Sequence, residues 1–264
     1  MSKNRNVLEL NTMMMLNTFK IVGGKSLGTC FLMGRPLTND PNCARFVLVT
    51  AAHVLEQMND SVAMLHLRIR QNDSYIRHPV QIRIRQGNNP LWTKNSSGLD
   101  VAVMYIGLPN GVDNQPLFTK FLADDSVLTR FEIHPGDELS CLGFPLGFES
   151  NQSAGFPVLR SGKIASFPLV PTQMYPTFLL DFQVYAGNSG GPVYFVESGR
   201  NFAGAVHLGG KIQYIFGLVT KEMSLTSNIA DIYSQEQRHH PLYLAEIVQA
   251  SHILNTINQL PESE

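Results

Sequence analysis

Along most of this chain, apolar residues alternate with polar ones in short runs. FVLVTAAHV (46–54), SVAMLHLRIR (61–70), PVQIRIR (79–85) and LDVAVMYI (99–106) are rich in β-branched residues and bounded by turn residues. That pattern predicts half-buried strands. LPNGVDNQP (108–116) crowds prolines, a glycine and Asn/Asp residues together and reads as a linker. Strands then resume with DELSCLGFP (137–145), PVLRSGKIAS (157–166), FLLDFQV (178–184), GPVYFV (191–196), FAGAVHL (202–208) and IQYIFGLVT (212–220). Two strand sets flanking one linker predict an all-β protein of two antiparallel barrels. Its parts would be an N-terminal barrel over 18–107, a linker over 108–135 and a C-terminal barrel over 136–224. The period changes only near the end. In 241–260, Leu244, Ile247, Val248, Ile253, Ile257 and Leu260 fall largely on one stripe, and Pro241 suits a first helical position. This predicts a C-terminal α-helix over 241–260.

Composition narrows the class. The chain has 264 residues, 44% of them hydrophobic, and a formal net charge of −1. That balance carries no electrostatic footprint for nucleic acid or an acidic membrane. No run approaches the ~20 apolar residues of a membrane-spanning helix. The N-terminal run VLELNTMMMLNTF is interrupted by Glu9, Asn11 and Asn17 and lacks a signal-peptide pattern. Met13, Met14 and Met15 read as core filler. Arg68, Arg70, Arg83 and Arg85 alternate with apolar residues and read as solvated strand faces. Cys30, Cys43 and Cys141 cannot all pair internally and have no metal-ligand spacing. Free thiols in a reducing, cytoplasmic setting are expected, with no cofactor and no metal.

The chemistry is concentrated in three strings. YAGNSGGPVY (185–194) sets Ser189 among glycines. A serine hydroxyl needs a base to take its proton and donors to hold the oxyanion it creates. Glycines let backbone N–H groups converge, here those of Gly187 and Ser189. VTAAHV supplies His53 as base, and GLDVAVM supplies Asp100 to orient the imidazole. The order His, Asp, Ser is one of the convergent triad orders.

Taken together, TAAH (50–53), LDVAV (99–103) and GNSGGP (187–192) resemble the chymotrypsin/trypsin-like serine protease family. GTCFLM (28–33) is similar to the strand leading to the family's catalytic His. PGDELSCLGFPLG (135–147) and RSGKIAS (160–166) are similar to segments of HtrA-type members, without room for a PDZ domain. The resemblance runs over roughly residues 18–258. It implies a chymotrypsin-like double barrel of two six-stranded β-barrels and a serine endopeptidase acting on protein or peptide substrates. Ser189 would be the nucleophile, His53 general acid and base, and Asp100 its orienting carboxylate. The Gly187 and Ser189 amides would form the oxyanion hole.

FKIVGG (19–24) looks like a trypsin-type activation site. In that family the new ammonium pairs with an Asp just before the nucleophile. Here the residue is Asn188, and an ammonium buried without a counter-charge is costly. FKIVGG is therefore expected to be the first strand of the N-terminal barrel, and no activating cut is expected.

For specificity, AVHLGG (205–210) is similar to the pocket strand of glutamyl endopeptidases and picornaviral cysteine proteases, where a His recognises Glu or Gln. This makes His207 and Gly209, with Gly217 on the strand pair behind, candidate substrate-binding residues. Gln183 stands where trypsins carry the Asp that selects Lys or Arg, which argues against trypsin specificity. Val184 replaces the Thr those Glu/Gln-specific relatives carry. The rival reading is a protease fold that is catalytically silent or needs an activating protein partner. For that, residues 1–18 and the loop 224–240 are the available elements.

Overall fold

The computed structural model describes residues 9–40, 43–112, 116–151, 153–206, 210–231 and 234–262. The chain opens with helix α1 (Leu10–Asn17), which the strand-dominated pattern did not reveal. Strands β1 (Thr18–Gly23), β2 (Ser26–Pro36) and β3 (Ala44–Thr50) follow, then the short helix α2 (Ala52–Glu56) and a hairpin, β4 (Val62–Gln71) with β5 (Ser74–Arg83). Next come β6 (Arg85–Gln86), β7 (Asn89–Pro90), β8 (Thr93–Lys94) and β9 (Ala102–Ile106). The N-terminal strands form one seven-stranded sheet in the order β5-β4-β1-β2-β3-β9-β8; β6 pairs only with β7. FKIVGG does begin this half. Lys20 on β1 faces Thr29 of β2 on one side and His66 of β4 on the other.

The linker carries helix α3 (Asp125–Arg130), started by Asp124, whose side chain accepts from the Val127 N–H. Strands β10 (Glu138–Gly143), β11 (Val158–Ile164), β12 (Thr177–Asp181) and β13 (Pro192–Ser198) precede a small hairpin of β14 (Asn201–Phe202) and β15 (Ala205–Val206). Two long strands, β16 (Lys211–Asp231) and β17 (Ser234–Gln249), lead to helix α4 (Ala250–Asn258). The second sheet closes as a six-stranded barrel, β10-β11-β12-β17-β16-β13.

Two expectations are corrected here. The terminal helix covers Ala250–Asn258 only, while residues 241–249 belong to β17 and supply the barrel's sixth strand, Leu244 to Val248 pairing with β12. The expected loop 224–240 is a two-stranded extension of the β16–β17 pair over its described residues. The C-terminal barrel therefore runs past 224 to Gln249.

The two halves share packing. One cluster holds the N-terminal sheet, α1, and α4 through Ala250, Ile253 and Ile257, and it reaches Leu142 and Tyr194 of the barrel. Met13 and Met14 are buried in it, as core filler should be. A second cluster, including Leu139, Phe178, Phe195, Phe216 and Ile247, fills the barrel. Each fully buried side chain of this kind contributes ~1.5–3 kcal/mol.

Arg68 departs furthest from the solvated-face reading; Arg85 is half-buried and donates to Met58 O and Leu55 O, both at 3.2 Å. Arg68 is 3% exposed, while Arg70 and Arg83 face solvent. Its guanidinium donates to Gly155 O at 2.9 Å, Met15 O at 2.9 Å, Leu16 O at 3.1 Å and Thr18 O at 2.8 Å. It lies 4.4 Å from the ring centroids of both Phe19 and Phe156. Burial pulls its pKa down. Carbonyl dipoles and two aromatic faces carry the charge, helped by the Glu149 carboxylate, which favours the charged form. One residue thereby ties the end of α1 to the segment following β10.

Among the described residues no helix is long and apolar enough to cross a membrane. Cys30 and Cys141 are buried and Cys43 is exposed, all three as free thiols. Burial raises the pKa of both interior thiols, that of Cys141 to about 12.

Candidate active site

His53 does not end strand β3. It is the second residue of α2, whose first backbone N–H groups have no helical partner. Asp100, in the bend before β9, meets both needs at once. Its Oδ2 lies 2.6 Å from His53 Nδ1, and its Oδ1 accepts from the His53 backbone N–H at 2.9 Å. Burial pushes the Asp100 carboxyl upward, but the His53 donors and the Lys94 charge outweigh it, so its pKa lies below the ordinary value. The carboxylate is thus ionised at neutral pH and holds the proton on Nδ1, leaving Nε2 free to accept one.

The loop bearing Asp100 is held from the C-terminus. Asn95, 5% exposed, donates to Thr256 Oγ1 at 2.8 Å, accepts from Ser97 N–H at 3.0 Å, and receives Gly98 N–H on its carbonyl at 3.1 Å. Helix α4 is anchored in turn by Arg35, which donates to Leu260 O at 2.9 Å and Tyr105 OH at 2.8 Å.

Ser189 lies in the turn before β13. Thr29 N–H donates to its carbonyl at 2.9 Å, which ties this turn to β2. The Ser189 hydroxyl donates to Thr220 O at 3.1 Å. A hydroxyl turns about a single bond, and catalytic hydrogen bonds often tighten only when substrate is present.

His53, Asp100 and Ser189 line one open cleft of about 740 Å3, its mouth included, with Val184, Tyr185, Ala186, Thr220, Lys221 and Glu222.

Gly187 adopts φ +96°, and a Cβ there would stand 2.2 Å from Phe144 O. Only glycine fits. Leu146 N–H donates to Ala186 O at 2.6 Å. Across a trans peptide, the carbonyl and the next N–H point in opposite directions. Holding the Ala186 carbonyl on Leu146 therefore turns the Gly187 N–H away from Leu146. Among the described residues, neither the Gly187 nor the Ser189 N–H donates to a backbone carbonyl. Asn188 is 2% exposed and neutral.

The other candidates fare differently. His207 and Gly209 lie outside the described residues. Ala205–Val206, just before them, pairs with β14 in a hairpin separate from the barrel. The cleft wall after Ser189 is Thr220–Glu222 of β16, which sequence reasoning missed; the signal was the next strand on, IQYIFGLVT, running directly into these residues. Gly217 is not brought to the cleft. It packs inside the β16–β17 ladder, where a Cβ would stand 2.1 Å from Val248 O. Gln183 sits beside the cleft; its Oε1 accepts from Tyr185 OH at 2.7 Å, and its carbonyl accepts from Arg160. Among the described residues no cluster of three or more potential metal ligands occurs.

The trypsin-like peptidase domain family matches residues 28–203, most of the chain. The chain belongs to that family and is a serine protease of the chymotrypsin fold, with protein or peptide substrates. No curated protein sequence matches it. Similar solved structures include an inactive serine-to-alanine form of Rv3671c from M. tuberculosis H37Rv, at 16% identity over 95% of this chain and 88% of that one, TM-score 0.46. Protease Anisep from Arthrobacter nicotinovorans matches at 13% identity over 92% and 94%, TM-score 0.47. Human heparin binding protein matches at 10% identity over 97% of both chains, TM-score 0.50, a likeness of fold alone.

Proposed function

We propose that the chain is a serine endopeptidase that works through His53, Asp100 and Ser189 by way of an acyl-enzyme. The observation that carries this reading is the two-point hold of Asp100 on His53 in the cleft that contains Ser189. His53 Nε2 takes the Ser189 proton as Oγ attacks the scissile carbonyl, and returns it to the leaving amine. Water, deprotonated by the same imidazole, then releases the acyl group. The Gly187 and Ser189 amides hold the oxygen as it becomes negative.

The enzyme acts without a trypsin-type cut. Lys20–Ile21 lies inside a strand paired on both edges, Ile21 is fully buried, and Asn188 offers no charge for a new ammonium. An activating protein partner is not part of this reading. The free thiols support a reducing, cytoplasmic setting.

For the residue before the scissile bond, the reading is Gln in preference to Glu. Glu222 lines the cleft, and its Oε1 is buried with no hydrogen-bond partner among the described residues. An unpartnered buried acceptor favours a side chain that donates and repels a carboxylate. Mass spectrometry of new peptide termini in a proteome treated with the wild type or Ser189→Ala tests both parts. New termini only with the wild type, mainly following Gln, are expected. Equal termini with both enzymes contradict the catalytic reading, and cleavage mainly after Lys, Arg or large aromatics contradicts the specificity.

A further inference from the structure

The oxyanion loop is braced from behind by the segment that follows β10. The Thr29 hydroxyl donates to Gly187 O at 2.6 Å and accepts from Phe144 N–H at 3.2 Å. Leu146 N–H holds the Ala186 carbonyl. Leu146 and Gly147 are both left-handed, at φ 51° and 79°. For a leucine that conformation is strained and persists only where the surroundings impose it.

A few residues on, the same segment is fastened to the N-terminal sheet by charge. Glu149 is 6% exposed; its Oε1 takes the Lys20 ammonium and its Oε2 the Arg77 guanidinium. Lys20 comes from β1 and Arg77 from β5. Arg77 N–H also donates to Ser153 O at 3.2 Å, and Arg68 to Gly155 O at 2.9 Å. His66 faces Lys20 from β4, and burial together with the Lys20 and Arg77 charges lowers its pKa. The cluster therefore presents two cations to one buried carboxylate at neutral pH. A carboxylate so enclosed is costly to move off its partners. Its position fixes the chain on either side of it.

We propose that Glu149 is a positioning residue for catalysis: the Lys20–Glu149–Arg77 bridge between the N-terminal sheet and segment 144–156 keeps the oxyanion hole assembled. It rests on the serine protease reading and deepens it. The bridge does in the intact chain what an inserted ammonium does in an activated trypsin-type enzyme. Lys20 is then a structural half of the brace, although it stands where an activating protease would cut.

The test compares wild type with Glu149→Gln. Three quantities are read: the rate of labelling by a fluorophosphonate probe, kcat and KM for hydrolysis of p-nitrophenyl acetate, and the thermal unfolding curve. Loss of one oxyanion donor costs about 10²–10³-fold in rate, so loosening both is expected to slow labelling and kcat by at least about tenfold. KM is expected to stay within about twofold, because the hole acts on the transition state. The unfolding transition is expected to remain cooperative. Should Glu149→Gln fail to fold, Arg77→Gln replaces a side chain that is only partly buried and is expected to slow labelling in the same direction, by roughly threefold or more. Labelling at the wild-type rate in the folded variant overturns the proposal, as does a raised KM with kcat unchanged. A wild type that takes no label contradicts the protease reading itself, an outcome distinct from a labelled wild type matched by its variant.

Discussion

Asp100 holds His53 at two points, one on the imidazole and one on the backbone. Oδ2 stands 2.6 Å from Nδ1, and Oδ1 accepts the backbone N–H at 2.9 Å. One carboxylate therefore fixes both the tautomer of the ring and the entry of the helix that carries it. Replacing Asp100 with Asn is expected to lower kcat by about 10⁴-fold, because the amide favours the wrong tautomer. Steady-state kinetics check this, and a loss under tenfold speaks against the assigned role.

The same carboxylate sets a pH dependence. Its folded-state pKa is depressed, because the His53 donors and Lys94 outweigh the effect of burial. A depressed carboxyl contributes stability above its unfolded pKa, ~3.9, and loses that contribution as pH falls through the folded value. The stability advantage of wild type over Asp100→Asn should hold at neutral pH and fade below about pH 4. Denaturant melts of both proteins across that range measure it, and an advantage unchanged at low pH contradicts the account.

Gly187 allows no side chain. With φ +96° and Phe144 O 2.2 Å from any Cβ, Gly187→Ala must displace the turn that carries the Gly187 and Ser189 amides. We expect about a 10²-fold or greater loss in kcat and about 1–3 kcal/mol in stability. Kinetics and urea unfolding read the two losses separately.

Thr29 links the Gly187 loop to segment 144–156. Thr29→Val keeps the shape and removes the hydroxyl, leaving Gly187 O and Phe144 N–H without that partner. The expected cost is about 1–3 kcal/mol, with slower fluorophosphonate labelling. Thr29→Ser should restore most of the labelling rate, and equal rates in the Val and Ser variants tell against the brace.

Arg68 should be the most sensitive of the basic residues. Arg68→Ala leaves four carbonyls without their donor and a gap between Phe19 and Phe156. A loss of about 3–5 kcal/mol is expected, against roughly 0.5 kcal/mol or less for the exposed Arg83→Ala. Chemical denaturation of the two variants settles the contrast.

These cases show which features a linear reading can reach. His53, Asp100 and Ser189 stand out because each lies in a short string whose chemistry is local. Their neighbours in space do not. Glu149 acquires its role from Lys20 and Arg77, far away in sequence, and nothing beside it in the chain signals a buried carboxylate. Arg68 alternates with apolar residues just as Arg70 does. Only the packing of α1 and Phe156 over one side of β4 separates the buried residue from the exposed one. The start of the terminal helix departs from the sequence pattern for a related reason. Leu244, Ile247 and Val248 satisfy a helical stripe, but β17 is buried on both faces here: Ala245 and Ile247 join the cluster inside the barrel, and Val248 joins the cluster shared with the N-terminal sheet, while the strand pairs with β12 and β16. Gln249 ends that strand, giving its amide to Leu169 O and Tyr175 O, before the helix begins at Ala250. Over a run this short, periodicity does not separate the two structures.

The central claim is that Ser189 is the activated nucleophile of the intact chain. Fluorophosphonate treatment followed by intact-mass and peptide-mapping mass spectrometry tests it most directly. The account predicts one adduct per uncut chain, located on Ser189, and none on a folded Ser189→Ala variant. An adduct on another residue, equal labelling of the variant, or labelling only after cleavage at Lys20 would contradict it.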